Sequence, residues 1–218
     1  MAKQIKSKQR VADHGEVFTD EKEVGAMCDL VIEETQRIDS RFLEPACGDG
    51  NFLIEILKRK LNIVKKKYRK SNYDYERFSL LALGSIYGVE LLEDNARACR
   101  ERLFKYWEKQ YKQACKKDYD ENTINSAKFI LTRNIVCGNA LTLKCVDNNG
   151  KDIEQPIIFS EWTLPFNDAR MQRKDYTLDE LVNRTDIQKA NAIDEEGKFL
   201  KQYISHYKKI CNKEEFEC

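Results

Sequence analysis

Residues Phe42 to Phe52 read F-L-E-P-A-C-G-D-G-N-F. A short apolar run closes on an acid and a proline, a loop with glycines at 48 and 50 follows, and a helical pattern opens at Phe52-Leu53-Ile54. The order is strand, tight turn, helix. Glycine at 48 and 50 permits positive φ and removes the Cβ atoms that would hold a ligand off the main chain. Glu44, at the carboxyl end of the strand, can accept hydrogen bonds from an amine-bearing or cationic ligand. No lysine follows the second glycine, so the phosphate-loop pattern G-x-x-x-x-G-K-[ST] is not met.

Downstream, Leu53, Ile56, Leu57, Leu61 and Val64 fall on one helical face, and the far end of that helix is basic: Lys58, Arg59, Lys60, Lys65, Lys66, Lys67, Arg69 and Lys70, interleaved with Tyr68, Tyr73 and Tyr75. Two readings stand for this run, a solvated helix face and a contact for nucleic-acid phosphates. A short helix over 76–84 leads to a second strand, Ile86 to Glu90, which again ends in an acid. A long helix follows with a core stripe of Ala96, Cys99, Leu103, Trp107, Tyr111 and Ala114. Glu90 either starts that helix or, at the tip of a second strand, holds ribose hydroxyls; Glu93 and Asp94 already serve the helix dipole. A helix over 121–132 precedes a third strand, Asn134 to Cys137, closing on Gly138-Asn139-Ala140-Leu141. The three strand tips thus carry Glu44, Glu90 and Asn139, and a doubly wound parallel sheet gathers such tips at one edge, where ligands bind.

Upstream, residues 1–13 are basic and read as a mobile arm. His14-Gly15-Glu16-Val17-Phe18-Thr19 leads into a helix with Val24, Met27, Cys28 and Val31 at helical spacing, and Asp20 with Glu23 has the form of a capping box. Taken alone, Val17-Phe18 reads as a hydrophobic staple onto that helix. After the third strand, 143–146 and 157–160 read as short strands, Trp162 to Phe166 as a loop broken at Pro165, and 177–184 and 196–212 as amphipathic helices. This divides the chain into an arm (1–13), an α/β domain (14–168) and a helical tail (169–218).

The 218 residues carry a net charge of +1, so global charge argues for no partner. Eight cysteines at irregular spacing in a lysine-rich chain read as reduced, mostly buried thiols of a cytoplasmic protein. No C-x-x-C pair is present and His14 and His206 lie far apart, so no metal site is expected. No apolar run approaches the roughly 18 residues of a membrane span.

The motifs H-G-E-V-F-T, E-P-A-C-G-D-G-N-F, Y-G-V-E-L-L-E-D-N-A and C-G-N-A-L, in that order, resemble the amino-terminal half of bacterial adenine-N6 DNA methyltransferases of restriction-modification systems. The resemblance covers about residues 14 to 141. It implies a Rossmann-like fold that binds S-adenosylmethionine, with DNA as partner. By it, Val17, Phe18 and Thr19 would line the methionine moiety, displacing the staple reading. Glu44, Ala46, Cys47, Gly48 and Gly50 would surround the amino acid and sulfonium, Glu90 would hold the ribose, and Leu91 would pack on adenine, with Asn139 and the adjoining Ala140 at the adenine edge. The family more often has aspartate where Asn139 stands. Its catalytic tetrapeptide [DNS]-P-P-[YFW] is absent; the nearest counterpart is Thr163-Leu164-Pro165-Phe166, giving Thr163, Pro165 and Phe166 as candidate catalytic residues. Two functions follow from the resemblance: an adenine-N6 DNA methyltransferase, or a non-catalytic or split cofactor-binding subunit that needs a second polypeptide for its catalytic loop and for DNA target recognition. A methyltransferase for protein or small molecules would keep the same fold.

Overall fold

The computed structural model describes residues 6–14, 16, 17, 19–182 and 199–211. Helices α1 (Lys8–His14), α2 (Glu21–Asp29) and α3 (Ile32–Thr35) come first. Asp20 caps α2, its side chain accepting from the Lys22 N–H at 2.9 Å, which satisfies a donor the helix start leaves open. Strand β1 (Phe42–Glu44) runs through the glycine turn into α4 (Asn51–Tyr68). There follow α5 (Asn72–Gly84), β2 (Ile86–Glu90), α6 (Glu93–Cys115), α7 (Glu121–Asn134) and β3 (Ile135–Asn139). β1 pairs with β2, and β2 with β3, both parallel.

Helical periodicity places the core as expected. α4 buries Leu53, Ile56, Leu57, Leu61 and Val64, and α6 buries Ala96, Cys99, Leu103, Trp107 and Tyr111, with Cys115 rather than Ala114 closing the stripe. Full burial of each large apolar side chain stabilises by about 1.5–3 kcal/mol. Strand β2 is buried along its whole length. Its Gly88 faces α4 so closely that a Cβ would meet Cys47 Sγ at 2.8 Å and Leu53 Cδ1 at 3.0 Å. Tyr87 and Val89 face the other way, onto Ile157 and Phe159.

After β3 the parallel pattern ends. β4 (Lys144–Val146) and β5 (Asp152–Pro156) add antiparallel strands, giving a mixed sheet in the order β1-β2-β3-β4-β5. A separate antiparallel sheet holds β6 (Ile158–Thr163), β7 (Arg170–Thr177) and β8 (Lys201–His206), with α8 (Leu178–Val182) between β7 and β8.

The sequence reads 157–160 as a short strand following those of the parallel sheet; the structure puts β6 in the second sheet, running against β1 to β3. Its start abuts the carboxyl end of β3, where a Cβ on Gly138 would meet Ile157 Cδ1 at 2.6 Å. Its end abuts the amino ends, where Trp162 lies against Gly84 and its Nε1–H donates to Asn134 Oδ1 at 3.3 Å. The helix expected over 196–212 is corrected too, since Lys201–His206 is a strand and the described part of 169–218 is mostly sheet. Charged side chains hide these strands. β7 turns Met171, Arg173 and Asp175 inward, and Arg173 donates to Asp175 at 2.9 and 2.8 Å, so the inner face lacks an apolar period. The arm expected to be mobile is helical from Lys8 and docks on α6, because Lys6 and Arg10 find Asp94 there.

Candidate functional site

The carboxyl tips of β1, β2 and β3 open onto a cleft of about 560 Å³. Val17, Thr19, Glu44, Ala46, Cys47, Gly48, Glu90, Leu91, Asn139 and Ala140 all line it. Gly50 lies beneath this wall at φ 92°, where a Cβ would also meet Cys99 Sγ at 2.7 Å. Both reasons make glycine the residue that fits. Phe18 lies outside the described residues.

The glycine turn is built by its own backbone and by Glu90. Cys47 N–H donates to Val89 O at 2.9 Å and Gly50 N–H to Cys47 O at 2.8 Å, while Gly48 takes φ 52°. Glu90, 8% exposed, accepts from the Gly48 N–H at 2.8 Å and the Leu92 N–H at 3.0 Å. Asn95 Nδ2–H adds a longer contact at 3.4 Å. A carboxylate offers about four acceptor sites, so Glu90 ties the turn to the start of α6 and keeps acceptor capacity facing the cleft.

Burial raises the Glu44 carboxyl above its ordinary value, against the Ala46 N–H that donates to it at 3.3 Å. A hydrogen bond with Cys99 and burial push the Cys47 thiol far up, the direction that disfavours the nucleophilic thiolate. Asn139 is anchored at both ends of its amide. Its Oδ1 accepts from the Leu141 N–H at 3.0 Å and its Nδ2 donates to Asp152 at 3.1 Å, leaving one N–H and one lone pair.

The sequence reading missed Glu16, Asn51, Phe52 and Asn95, which also line the cleft. Each lies inside a quoted motif, Glu16 and Asn51 directly beside an expected residue. Asn51 Nδ2 donates to Thr19 O at 2.9 Å and its Oδ1 accepts from Arg102 at 2.6 Å, clamping the segment that carries Val17 and Thr19 onto α4.

Thr163, Pro165 and Phe166 are not at this cleft. They line a second one, of about 900 Å³, with Ser40, Arg41, Gly84 and Ser85, the residues that precede β1 and β2. The physical reason is the direction of β6, which delivers its carboxyl end to the amino edge of the parallel strands. The loop's groups are also engaged. Thr163 Oγ1 donates to Gln172 Oε1 at 3.3 Å, the Arg170 guanidinium lies 3.9 Å over the Phe166 ring, and Phe166 O accepts from Arg77 at 3.3 Å.

The basic run divides. Lys58 and Arg59 pair with Glu55, and Arg59 also with Asp29. Lys60 is buried, donating to Arg37 O, Ile38 O, Ser40 O and Ser85 Oγ, and burial pulls its pKa down to about 7. Lys65, Lys66, Lys67, Arg69 and Lys70 are exposed at the end of α4. Among the described residues no group of three or more His, Cys, Asp and Glu could hold a metal, and no helix is long and apolar enough to cross a membrane.

Parallel strands alternating with helices, and a glycine turn, a carboxylate and an amide brought together at their carboxyl tips, define a Rossmann-like α/β domain. Within that class the chain belongs to the family of the MmeI DNA-methyltransferase domain, which matches residues 17–195. The family consists of DNA methyltransferases of restriction-modification systems. No curated protein and no solved structure matches the chain.

Proposed function

We propose that this chain binds S-adenosylmethionine in the carboxyl-edge cleft and serves adenine-N6 methylation of DNA in the cytoplasm, with the loop that holds the target base supplied by another segment or a second polypeptide. The observation that carries this reading is a separation. The cofactor residues converge on one edge of the parallel strands, while the nearest counterpart of the catalytic tetrapeptide lies at the opposite edge.

The cleft's chemistry fits the cofactor. Glu90 presents acceptors to the two ribose hydroxyls, Glu44 faces the cationic amino-acid end, and Leu91 offers an apolar surface for adenine. Asn139 and Ala140 stand at the adenine edge, Asn139 with its remaining N–H and lone pair. Val17 and Thr19 enclose the methionine end, a role the resemblance also gives Phe18, and Ala46, Cys47, Gly48 and Gly50 keep the wall thin. When bound, S-adenosylmethionine supplies an electrophilic methyl group on its sulfonium. The chain's own contribution is to orient that group and exclude water around it.

One observation favours a second polypeptide over self-sufficiency. Leu43, at the middle of β1, is 45% exposed, and β2 is the one strand neighbour of β1 among the described residues. An open edge of that kind is a seat for another strand. The purified chain, given labelled S-adenosylmethionine and mixed-sequence DNA, should retain cofactor without labelling adenine. Label on adenine would restore the single-chain enzyme, label on cytosine would overturn the adenine assignment, and failure to retain cofactor would remove the whole reading.

A further inference from the structure

The first described segment of the chain is tied down by charge. Arg10, on α1, grips two carboxylates at once. It meets Glu16 at 2.6 and 2.9 Å and Asp94, in the first turn of α6, at 2.7 and 3.0 Å. Lys6 adds a bond to Asp94 at 3.2 Å and a second to the Asn95 side-chain oxygen. Asn95 is 1% exposed and donates through the same nitrogen to Glu16 at 2.5 Å and to Glu90 at 3.4 Å. Two carboxylates from distant parts of the chain therefore meet at one amide, and both line the cofactor cleft.

The electrostatics explain why the arrangement needs Arg10. Glu16, Glu90 and Asp94 stand together at the mouth of α6, and without a cation their mutual repulsion would drive Glu16 out of the cleft. A forked guanidinium can neutralise two carboxylates in fixed geometry, which a point charge on a flexible stem does less well. The Asp94 carboxyl is held well below its ordinary value, its hydrogen bond to Arg10 being the largest cause.

We propose that Arg10 is a positioning residue for the cofactor: α1 is a charge-latched wall that seats Glu16 against Glu90, and cofactor affinity depends on the fraction of molecules in which this latch is closed. The proposal rests on the reading of the cleft as the S-adenosylmethionine site. Glu16 then stands beside Glu90 as a second carboxylate facing the cofactor.

Population arithmetic sets the size of the effect. If Arg10→Gln leaves the wall seated in about one molecule in ten, the apparent Kd rises about tenfold. The test is calorimetric titration of the whole chain with S-adenosylmethionine at low and high salt, for the wild type, Arg10→Gln, Asp94→Asn and Lys8→Gln, with hydrogen exchange of residues 8–17 measured alongside. Lys8 is an exposed cation on the same helix; its variant should bind like the wild type. Arg10→Gln should bind about tenfold more weakly with its salt dependence flattened, and cofactor should slow exchange of 8–17 in the wild type but not in that variant. Arg10→Lys should recover part of the affinity. Asp94→Asn removes the anchor on α6 while leaving Arg10 on Glu16, so it carries the test if Arg10→Gln melts early. Wild-type affinity in both variants would overturn the latch while leaving the cofactor site standing. Absence of binding by the wild type would overturn the cofactor site, and the latch with it.

Discussion

The two halves of this molecule are held together in different proportions of apolar and charged contact. From β1 to β3 the core is mainly apolar, with Leu53, Leu57, Leu103, Trp107 and Val89 withdrawn from water and Lys60, Glu76 and Arg77 as its buried charges in α4 and α5, while Glu44 and Glu90 stand at the strand tips. In the β6-β7-β8 sheet the interior is itself charged. Asp175 receives Arg173, Arg133 and the Ser160 hydroxyl, the last at 2.6 Å, and Tyr203 lies 4.2 Å from the Arg173 guanidinium. The difference teaches where function can sit. The parallel half turns the carboxylates at its strand tips towards a cleft, whereas the second sheet uses Asp175 for its own cohesion.

The sharpest way to break that comparison is to remove Asp175. Asp175→Ala leaves two guanidinium groups beside an empty site, and losing one partner of a buried ion pair costs about 3–5 kcal/mol. Urea unfolding should show that loss. The pH dependence has a definite sign. Burial acts to raise the Asp175 carboxyl, but Arg173, Ser160 and Arg133 outweigh it and hold it below its ordinary value of 3.8. A depressed carboxylate stabilises the fold at higher pH, and its contribution disappears as pH falls below 3.8 through the folded value. Asp175→Asn should flatten that part of the acid profile. A variant as stable as the wild type would mean the second sheet does not rest on this pair.

The same contrast explains what the sequence discloses. Leu53, Ile56, Leu57, Leu61 and Val64 repeat at helical spacing, and the three strand tips carry G-x-G, an acid and an amide, so the parallel half and most of its cleft are legible in one dimension. β7 escapes because its inward positions include Arg173 and Asp175, which read as surface. The direction of β6 escapes for another reason: an apolar run identifies a strand but not which way it crosses its neighbours. Thr163-Leu164-Pro165-Phe166 is therefore assignable to a strand end, while the edge that end reaches is not. Glu16 and Asn95 are hidden by distance along the chain, being 79 residues apart yet hydrogen-bonded.

Next in size is the contrast between the two edges of the parallel strands. Glu90→Ala removes the acceptor for the Gly48 and Leu92 N–H groups as well as any ligand hydroxyl. Hydrogen bonds to a charged group contribute about 1.5–3 kcal/mol, so S-adenosylmethionine affinity should fall on the order of 100-fold by calorimetry. Thr163→Ala and Phe166→Ala, at the other edge, should leave it unchanged. Equal losses at the two edges would erase the distinction between them.

Glycines separate the edges more gently. A Cβ at Gly88 would press on Cys47 under the glycine turn, while one at Gly84 would meet Trp162 side-chain atoms at 2.9 Å. Overpacking of this kind costs about 1–3 kcal/mol, so both alanine variants should melt early. Only Gly88→Ala should also weaken the cofactor, because only its strain is transmitted to the turn. Cofactor loss in Gly84→Ala would instead show the two edges to be mechanically coupled.

The smallest effect belongs to the far end of α4. That helix starts at the carboxyl-edge cleft with Asn51 and ends at Tyr68, about 26 Å away at 1.5 Å per residue. Lys65, Lys66 and Lys67 at its exposed tip are too distant to feel the cofactor, so replacing all three with Gln should leave stability and S-adenosylmethionine affinity untouched. Their expected role is towards DNA phosphates. The slope of log affinity against log salt should fall by about 0.9 for every phosphate these lysines no longer neutralise, with little change among DNA sequences. An unchanged slope would return these lysines to the status of a solvated helix face. Any DNA would then have to engage the chain from the carboxyl edge, where Glu16, Glu44 and Glu90 make the cleft wall acidic and where phosphates would need cations from a partner.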